Sequence, residues 1–453
     1  MILSIDLGTT RTKAVVWDGR GSVAHADAKV TTRHPGPGRA EQEPHEWWAS
    51  VVAACAGLDP ASRAAVDAIG FSGARQTIAL VDARGVALGP ALLWSDRRAA
   101  GAVAGLDAGA VEAKLAWLES HEPTRLAAAR WALAPRDLIV WRLTGETVTD
   151  ETLASATGLP PGHPLLPPAL APATVVGRAG VEPAAELGLR PGVPVVIGAG
   201  DRQCEALATG AGPDLPMVSW GTTANVSVPV PARPDPAPAG LLVTRAAGTG
   251  WLLEGGLAAA GSLLDWLAAL TGATVDDLVA RAGTCAPGAG GVVAVPWLGG
   301  ARAPWWRADA GAAFLGLGPS HGAGDLARAA MEGIAWDVVR CIEAAGVQPT
   351  GLALAAGAGI GAWVAVITAA AGLPGVRRAS ADAASAGAAL IASDAVGAGL
   401  ERDLINPVVE TVVPPAETVD RYRALRAVSD AATRAALEVV ASLPGGPRFT
   451  VSG

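Results

Sequence analysis

Short apolar runs alternate with longer amphipathic stretches along most of the chain, the pattern of strands interleaved with helices. Ile2–Ile5, Ala14–Trp17, Ala68–Ser72 and Thr77–Val81 are strand candidates. Pro44–Ala56 and Val111–Glu119 have helical character. The Pro-rich stretch Pro160–Pro172 predicts a surface excursion. Beyond it, VPVVIGAGD reads as a buried strand, Val195–Ile197, running into a Gly-Ala-Gly turn that ends on Asp201. QCEALATG then continues as a helix.

A second alternation opens near Met217 with PMVSWGTTANVSV. After another Pro-rich loop, Pro231–Ala239, come a helix at Leu257–Leu270, a strand at Val292–Val295 and a long helix at Asp325–Ala345. LALAAGAGIGAWVAVITAAAG reads as strand, Gly-rich turn and helix, and Arg421–Ser442 as a last amphipathic helix. The expectation is an α/β protein of two similar lobes, residues 1–213 and 214–453. Each lobe carries its own Gly-Thr-Thr turn, Gly8-Thr9-Thr10 and Gly221-Thr222-Thr223, so the ligand is expected between them.

Composition narrows the class. The chain has 453 residues and can bury a large core, although aromatics make up only 4%. No run of about 20 residues is apolar and charge-free enough to span a bilayer. The chain enters a strand pattern at once, with no basic segment and signal core, so a cytoplasmic protein is expected. Cys55, Cys204, Cys285 and Cys341 form no CxxC pair and are expected to be reduced. The net charge is −8 with no basic block, which argues against nucleic acid as a partner. A homodimer is neither required nor excluded.

The candidate chemistry sits in the turns. Asp6, Gly8, Thr9, Thr10, Arg11 and Lys13 offer a carboxylate, hydroxyls, free backbone N–H groups and cations. Such a set grips phosphates and, through water, Mg²⁺; taken alone it is equally a plain hairpin. Asp201 at a strand end is either a helix cap or a general base taking a proton from a substrate hydroxyl, with Arg202 and Gln203 beside it. Arg75 and Gln76 follow one strand, and LLWSDRRA presents Trp94, Asp96, Arg97 and Arg98. These are surface charges or the ring face and polar forks that hold a polyol.

In order, IDLGTTRTKAVVWD, QEPHEWW, LLWSDRRA, KLAWLESHEP, PRDLIVWRLTGETVTD, ASATG, GAGD, SWGTT, AAGSLLDWL, PWLGGARAP and GAAFLGLGPSHGAGDLARAAMEG resemble the motifs of the FGGY family of carbohydrate kinases. That family lies within the actin-like ATPase superfamily, and the resemblance covers nearly the whole chain. It implies two actin-like (ribonuclease H-like) lobes around a central cleft, with ATP and Mg²⁺ toward the second lobe and a sugar toward the first. Asp201 then stands at the catalytic base and Asp6 at the acidic residue serving Mg²⁺. Thr9, Thr10, Arg11 and Lys13 stand at the first phosphate loop, and Gly221, Thr222 and Thr223 at the second. Gly261 and Asp265 stand where a helix nears the nucleotide. Arg75, Gln76, Trp94, Asp96 and Arg98 stand at the sugar, with Arg202 and Gln203 adjoining.

Three departures from the family pattern matter. Its nucleotide motif usually has a glycine triplet, whereas this chain reads AAGAGI over Ala355–Ile360, keeping Gly357 and Gly359 for ATP. Arg75-Gln76 stands where xylulose kinases carry Met-His and glycerol kinases Arg-Glu. Gly200-Asp201-Arg202 stands where xylulose kinases often read Gly-Asp-Asn. Two arginines beside the base point to an acidic sugar or an unusual polyol. The alternative is Arg202 turned away along its helix and Arg75 paired with Asp96. The altered glycine motif also motivates a rival, a catalytically weak sugar- and nucleotide-binding sensor of the same fold.

Overall fold

A computed structural model describes residues 1–103, 106–307, 309–355, 361–380 and 382–442. Strand β1 (Ile2–Leu7) and strand β2 (Arg11–Asp18) form the expected hairpin, with Asp6 opposite Lys13. Strand β3 (Gly21–Lys29) extends it antiparallel. GSVAHADAK is small, polar and largely exposed, so ladder bonds hold β3 at the sheet edge and no apolar run announces it. On the other side of β1, strand β4 (Ala68–Gly73) runs parallel to it. Strand β5 (Val175–Arg178) pairs antiparallel with β6 (Pro194–Val196), which lies parallel to β4. Strand β7 (Ala199–Gly200) also joins β4.

The second sheet repeats this plan. Strands β8 (Met217–Trp220), β9 (Ala224–Val230), β10 (Leu242–Arg245) and β11 (Trp251–Leu257) build its antiparallel side in the order β10-β11-β9-β8. Strands β12 (Leu352–Ala355) and β13 (Gly375–Arg378) follow in parallel, and β14 (Val408–Val412) closes the far edge antiparallel. Each sheet thus has antiparallel strands on one side, three in the first and four in the second, with parallel strands beyond them. The protein is an α/β fold of two related lobes. Each sheet has its own buried core, Leu3, Ile5, Trp47 and Phe71 in the first, Val218, Val226, Ile334 and Trp363 in the second.

Helix α1 (Pro44–Ala56) spans its predicted range and α2 (Val111–His121) runs two residues beyond Glu119. Two expectations shift. Only Ala79–Val81 of the Thr77–Val81 run is strand, and Leu257 ends β11 rather than opening a helix. Helix α3 (Asp201–Thr209) follows β7 directly, and α4 (Gly261–Thr271) follows β11.

The lobes are pressed together by small residues. Helix α5 (Ala383–Val396) lies late in the chain, yet it packs on β1, β4 and α3 of the first lobe. A Cβ at Gly387 would lie 2.0 Å from the Cys204 carbonyl oxygen, and one at Gly70 would lie 2.6 Å from that of Ala388. Among the described residues, no helix is long and apolar enough to cross a membrane, and all four cysteines are free thiols.

Candidate active site

The turn before Asp201 forces its placement. Gly198 has φ +75°, and a Cβ there would sit 1.8 Å from the Phe71 carbonyl oxygen. Only glycine lets the chain turn so tightly against β4 and start α3 at Asp201. The Asp201 side chain, 35% exposed, accepts a hydrogen bond from the Arg202 N–H. It faces a cavity of about 240 Å³ between the lobes.

Both Gly-Thr-Thr turns reach that cavity. Thr9 lines it from the β1–β2 turn, and its hydroxyl accepts from Trp94 Nε1 at 2.9 Å. Thr223 lines it from the β8–β9 turn. The second turn is stitched to the start of α4: Gly221 and Thr222 carbonyls accept from the N–H groups of Gly261 and Ser262 at 2.8 and 3.1 Å. A Cβ on Gly261 would lie 2.6 Å from the Gly221 carbonyl oxygen. Asp265, one turn along α4, is exposed, as is Thr10.

The cations are mostly paired. Arg75 lines the cavity and meets Glu254 of β11 through two bonds, with Asp201 3.4 Å from its Nε. Burial opposes its charge, but Glu254 and Asp201 outweigh that and raise its pKa. Arg202 is held by Glu205 at 2.9 Å and Ser219 at 2.7 Å. Arg75 pairs with Glu254, not Asp96, whereas Arg202 does turn along its helix, to Glu205, while still lining the cavity. Lys13 pairs with Asp382 from the second lobe, and Arg11 pairs with Asp27 on β3.

Asp6 is buried behind the first turn, and its Oδ1 has no hydrogen-bond partner. Burial pushes its carboxyl up to about 6, only partly offset by Ser72 and Lys13; Asp201 and Glu205 add to the rise. Such an atom is suited to a hydrated cation.

The structure does not bring every expected sugar residue into the cavity. Trp94 and Gln76 line it. Asp96 is fully buried and accepts from the Ala40 N–H at 2.7 Å and from Arg98 at 2.8 Å. Arg98 also binds Glu41 and stacks over Trp117. That cluster underlies the Trp94 loop, and neither Asp96 nor Arg98 is among the residues lining the cavity. Gln203 is likewise buried, donating to Thr244 at 3.1 Å. Gly357 and Gly359, like all of AAGAGI after Ala355, lie outside the described residues.

Sequence reasoning missed Glu254, Asn225 and Arg302, which also line the cavity. Glu254 carried a signal: a carboxylate inside the apolar run WLLEGGL, 1% exposed once folded. Arg302 lies 3.7 Å from Asp107 and over the Trp306 ring. Burial, helped by Arg97, Arg202 and Arg75, depresses its pKa against the pull of Asp107. A larger cavity of about 920 Å³ lies under the Pro-rich excursion, but Asp201 and both Gly-Thr-Thr turns are absent from its lining.

Residues 1–113 and 103–160 match the N-terminal domain of the FGGY family of carbohydrate kinases, and residues 217–396 its C-terminal domain. The chain is 30% identical to the xylulose kinase of Escherichia coli (strain K12) over 398 residues, covering 79% of this chain and 82% of that one. It is 33% identical to the glycerol kinase of Gloeobacter violaceus over 376 residues, 74% of this chain and 75% of that one. A xylulose kinase structure from Rhodospirillum rubrum matches with a TM-score of 0.84 at 26% identity, over 96% of this chain and 99% of that one. Plasmodium falciparum glycerol kinase with ADP shares the fold at a TM-score of 0.82 and 18% identity, over 96% and 97%.

Proposed function

The chain belongs to the FGGY family of carbohydrate kinases, and we propose that it moves the γ-phosphoryl group of ATP to a hydroxyl of a neutral ketose or polyol, with Asp201 as general base. The observation that carries this reading is the convergence of Thr9, Asp201 and Thr223 on one inter-lobe cavity. The acceptor hydroxyl gives its proton to the Asp201 carboxylate as its oxygen bonds to the γ-phosphorus. The bond from that phosphorus to the β–γ bridging oxygen breaks, and ADP leaves with the electron pair. Thr9 and Thr223, one from each lobe, supply hydroxyls and backbone N–H groups for phosphate oxygens.

Mg²⁺ enters with ATP as part of the substrate. The unpartnered, buried oxygen of Asp6 fits a water-mediated hold on it. The ion supplies charge neutralisation on the phosphates when bound. Alignment and charge neutralisation are most of what this reaction asks of a protein.

Charge pairing favours a neutral acceptor. Arg75 is matched by Glu254 and Arg202 by Glu205, so neither presents a bare fork to a carboxylate. A guanidinium bound to a carboxylate still offers donors to vicinal hydroxyls, and the carboxylate offers acceptors. Relatives named xylulose kinase and glycerol kinase support this class. The test is ADP release from ATP and Mg²⁺ across neutral ketoses, polyols and sugar acids, with Asp201→Asn as control. Asp201-dependent turnover of a neutral compound is the expected result. Turnover confined to sugar acids overturns the neutral assignment, and none at all overturns the kinase reading.

A further inference from the structure

We propose that Lys114 is a positioning residue for the acceptor site and acts through the backbone of Gln76. This rests on the reading of the inter-lobe cavity as the acceptor site. Lys114 stands on α2 and is 0% exposed, and its ammonium donates to the Gln76 carbonyl at 2.5 Å. Gln76 is not glycine, yet its φ is +59°, a left-handed conformation that a side chain disfavours. It lines the cavity, as Arg75 and Trp94 do, and its side-chain amide donates to the Ala156 carbonyl at 3.4 Å. A carbonyl held by a buried cation cannot rotate freely, so the bond fixes the peptide after Gln76 and keeps the amide at the cavity wall.

The placement is costly for Lys114. Burial pushes its amine down to about 7. The charges nearest it are Asp96 and Asp107, which favour the ammonium, and Arg97 and Arg98, which oppose it. An unbranched apolar side chain would fill the same space without that penalty. What the ammonium adds is a hold on one carbonyl, and that carbonyl belongs to a cavity residue.

The test separates acceptor from nucleotide. In Lys114→Met the KM for the acceptor, and its Kd by calorimetry, rise about tenfold, the effect of one hydrogen bond to a charged group. The KM for ATP stays within about twofold, because the Lys114 ammonium bonds the Gln76 carbonyl of the first lobe and not the second Gly-Thr-Thr turn. Lys114→Gln, which keeps an N–H donor, recovers part of the loss. Gln76→Gly needs no hold at positive φ: it raises acceptor KM by itself, and Lys114→Gln added to it changes nothing further. Additive losses in that pair, or equal rises in both KM values, overturn the proposal even if Lys114→Met does not fold. Wild-type turnover with an unmoved acceptor Kd in the Lys114 variants overturns this proposal alone. Wild type that neither binds nor phosphorylates any acceptor overturns it together with the kinase reading.

Discussion

Arg75, just past the end of β4, and Glu254, in β11, face each other across the cleft through hydrogen bonds of 2.6 and 2.5 Å. Glu254 also accepts from the Thr244 hydroxyl at 2.6 Å, and Thr244 in turn accepts from Gln203 of α3. One carboxylate therefore joins the strand end of the first lobe, the helix carrying Asp201 and the antiparallel side of the second sheet. Glu254→Gln leaves the largely buried Arg75 guanidinium with Asp201 as the carboxylate within 4 Å. We expect a loss of about 3 kcal/mol of stability, the scale for breaking a buried pair. With Arg75 released, sugar acids should gain turnover relative to neutral acceptors. Urea unfolding and an acceptor panel check both parts; no change in either would show the pair to be incidental.

Asp201→Asn keeps the size and the N-terminal position on α3 but takes no proton. Acceptor affinity should stay within a few-fold while kcat falls by about 10²–10⁴. Single-turnover phosphoryl transfer with calorimetry for the acceptor separates the two. A near-normal kcat would falsify the assignment of the base.

The hairpin, both Gly-Thr-Thr turns and the strand running into Asp201 were legible because each is local: apolar runs, glycine turns and a carboxylate close in sequence. The repeat of the turn also revealed two lobes. What was not legible is non-local. Arg75 and Glu254 stand 179 residues apart, and nothing near either in the chain names its partner. Asp96 and Arg98 were recognised as a cluster, but only tertiary structure shows that the Ala40 N–H and Glu41 draw them behind the cavity. Lys114 reads as one more helix cation until the fold closes over it.

Gly261→Ala tests the joint between the second turn and α4. The added methyl would meet the Gly221 carbonyl at 2.6 Å, and backbone on both sides must shift. Overpacking of this kind costs about 1–3 kcal/mol. The shift falls on the Gly221-Thr222-Thr223 turn, so KM for ATP should rise about tenfold or more, with acceptor affinity little changed. Equal loss of both would mean that the turn serves the whole cleft.

Asp6 sets stability against function. Its carboxyl is raised from 3.8 to about 6 chiefly by burial. The folded chain therefore binds a proton between pH 4 and 6 that the unfolded chain has released. Unfolding then takes the sign of a raised carboxyl: this group's contribution favours folding at low pH and is lost as pH rises through about 6. At pH 7 the ionised Asp6, its Oδ1 without a hydrogen-bond partner, costs the ligand-free protein on the order of 3 kcal/mol. Asp6→Asn should accordingly stabilise the protein at pH 7, by an amount that shrinks toward pH 4, while turnover with Mg²⁺ and ATP collapses. In the wild type, kcat/KM for ATP should fall below pH 6 as Asp6 takes up its proton. Thermal unfolding of both proteins across pH 4–8 reads the first effect and initial rates read the second. A variant that loses stability at pH 7 would mean that Asp6 is a structural carboxylate with a partner in the fold, and not one poised for a cation.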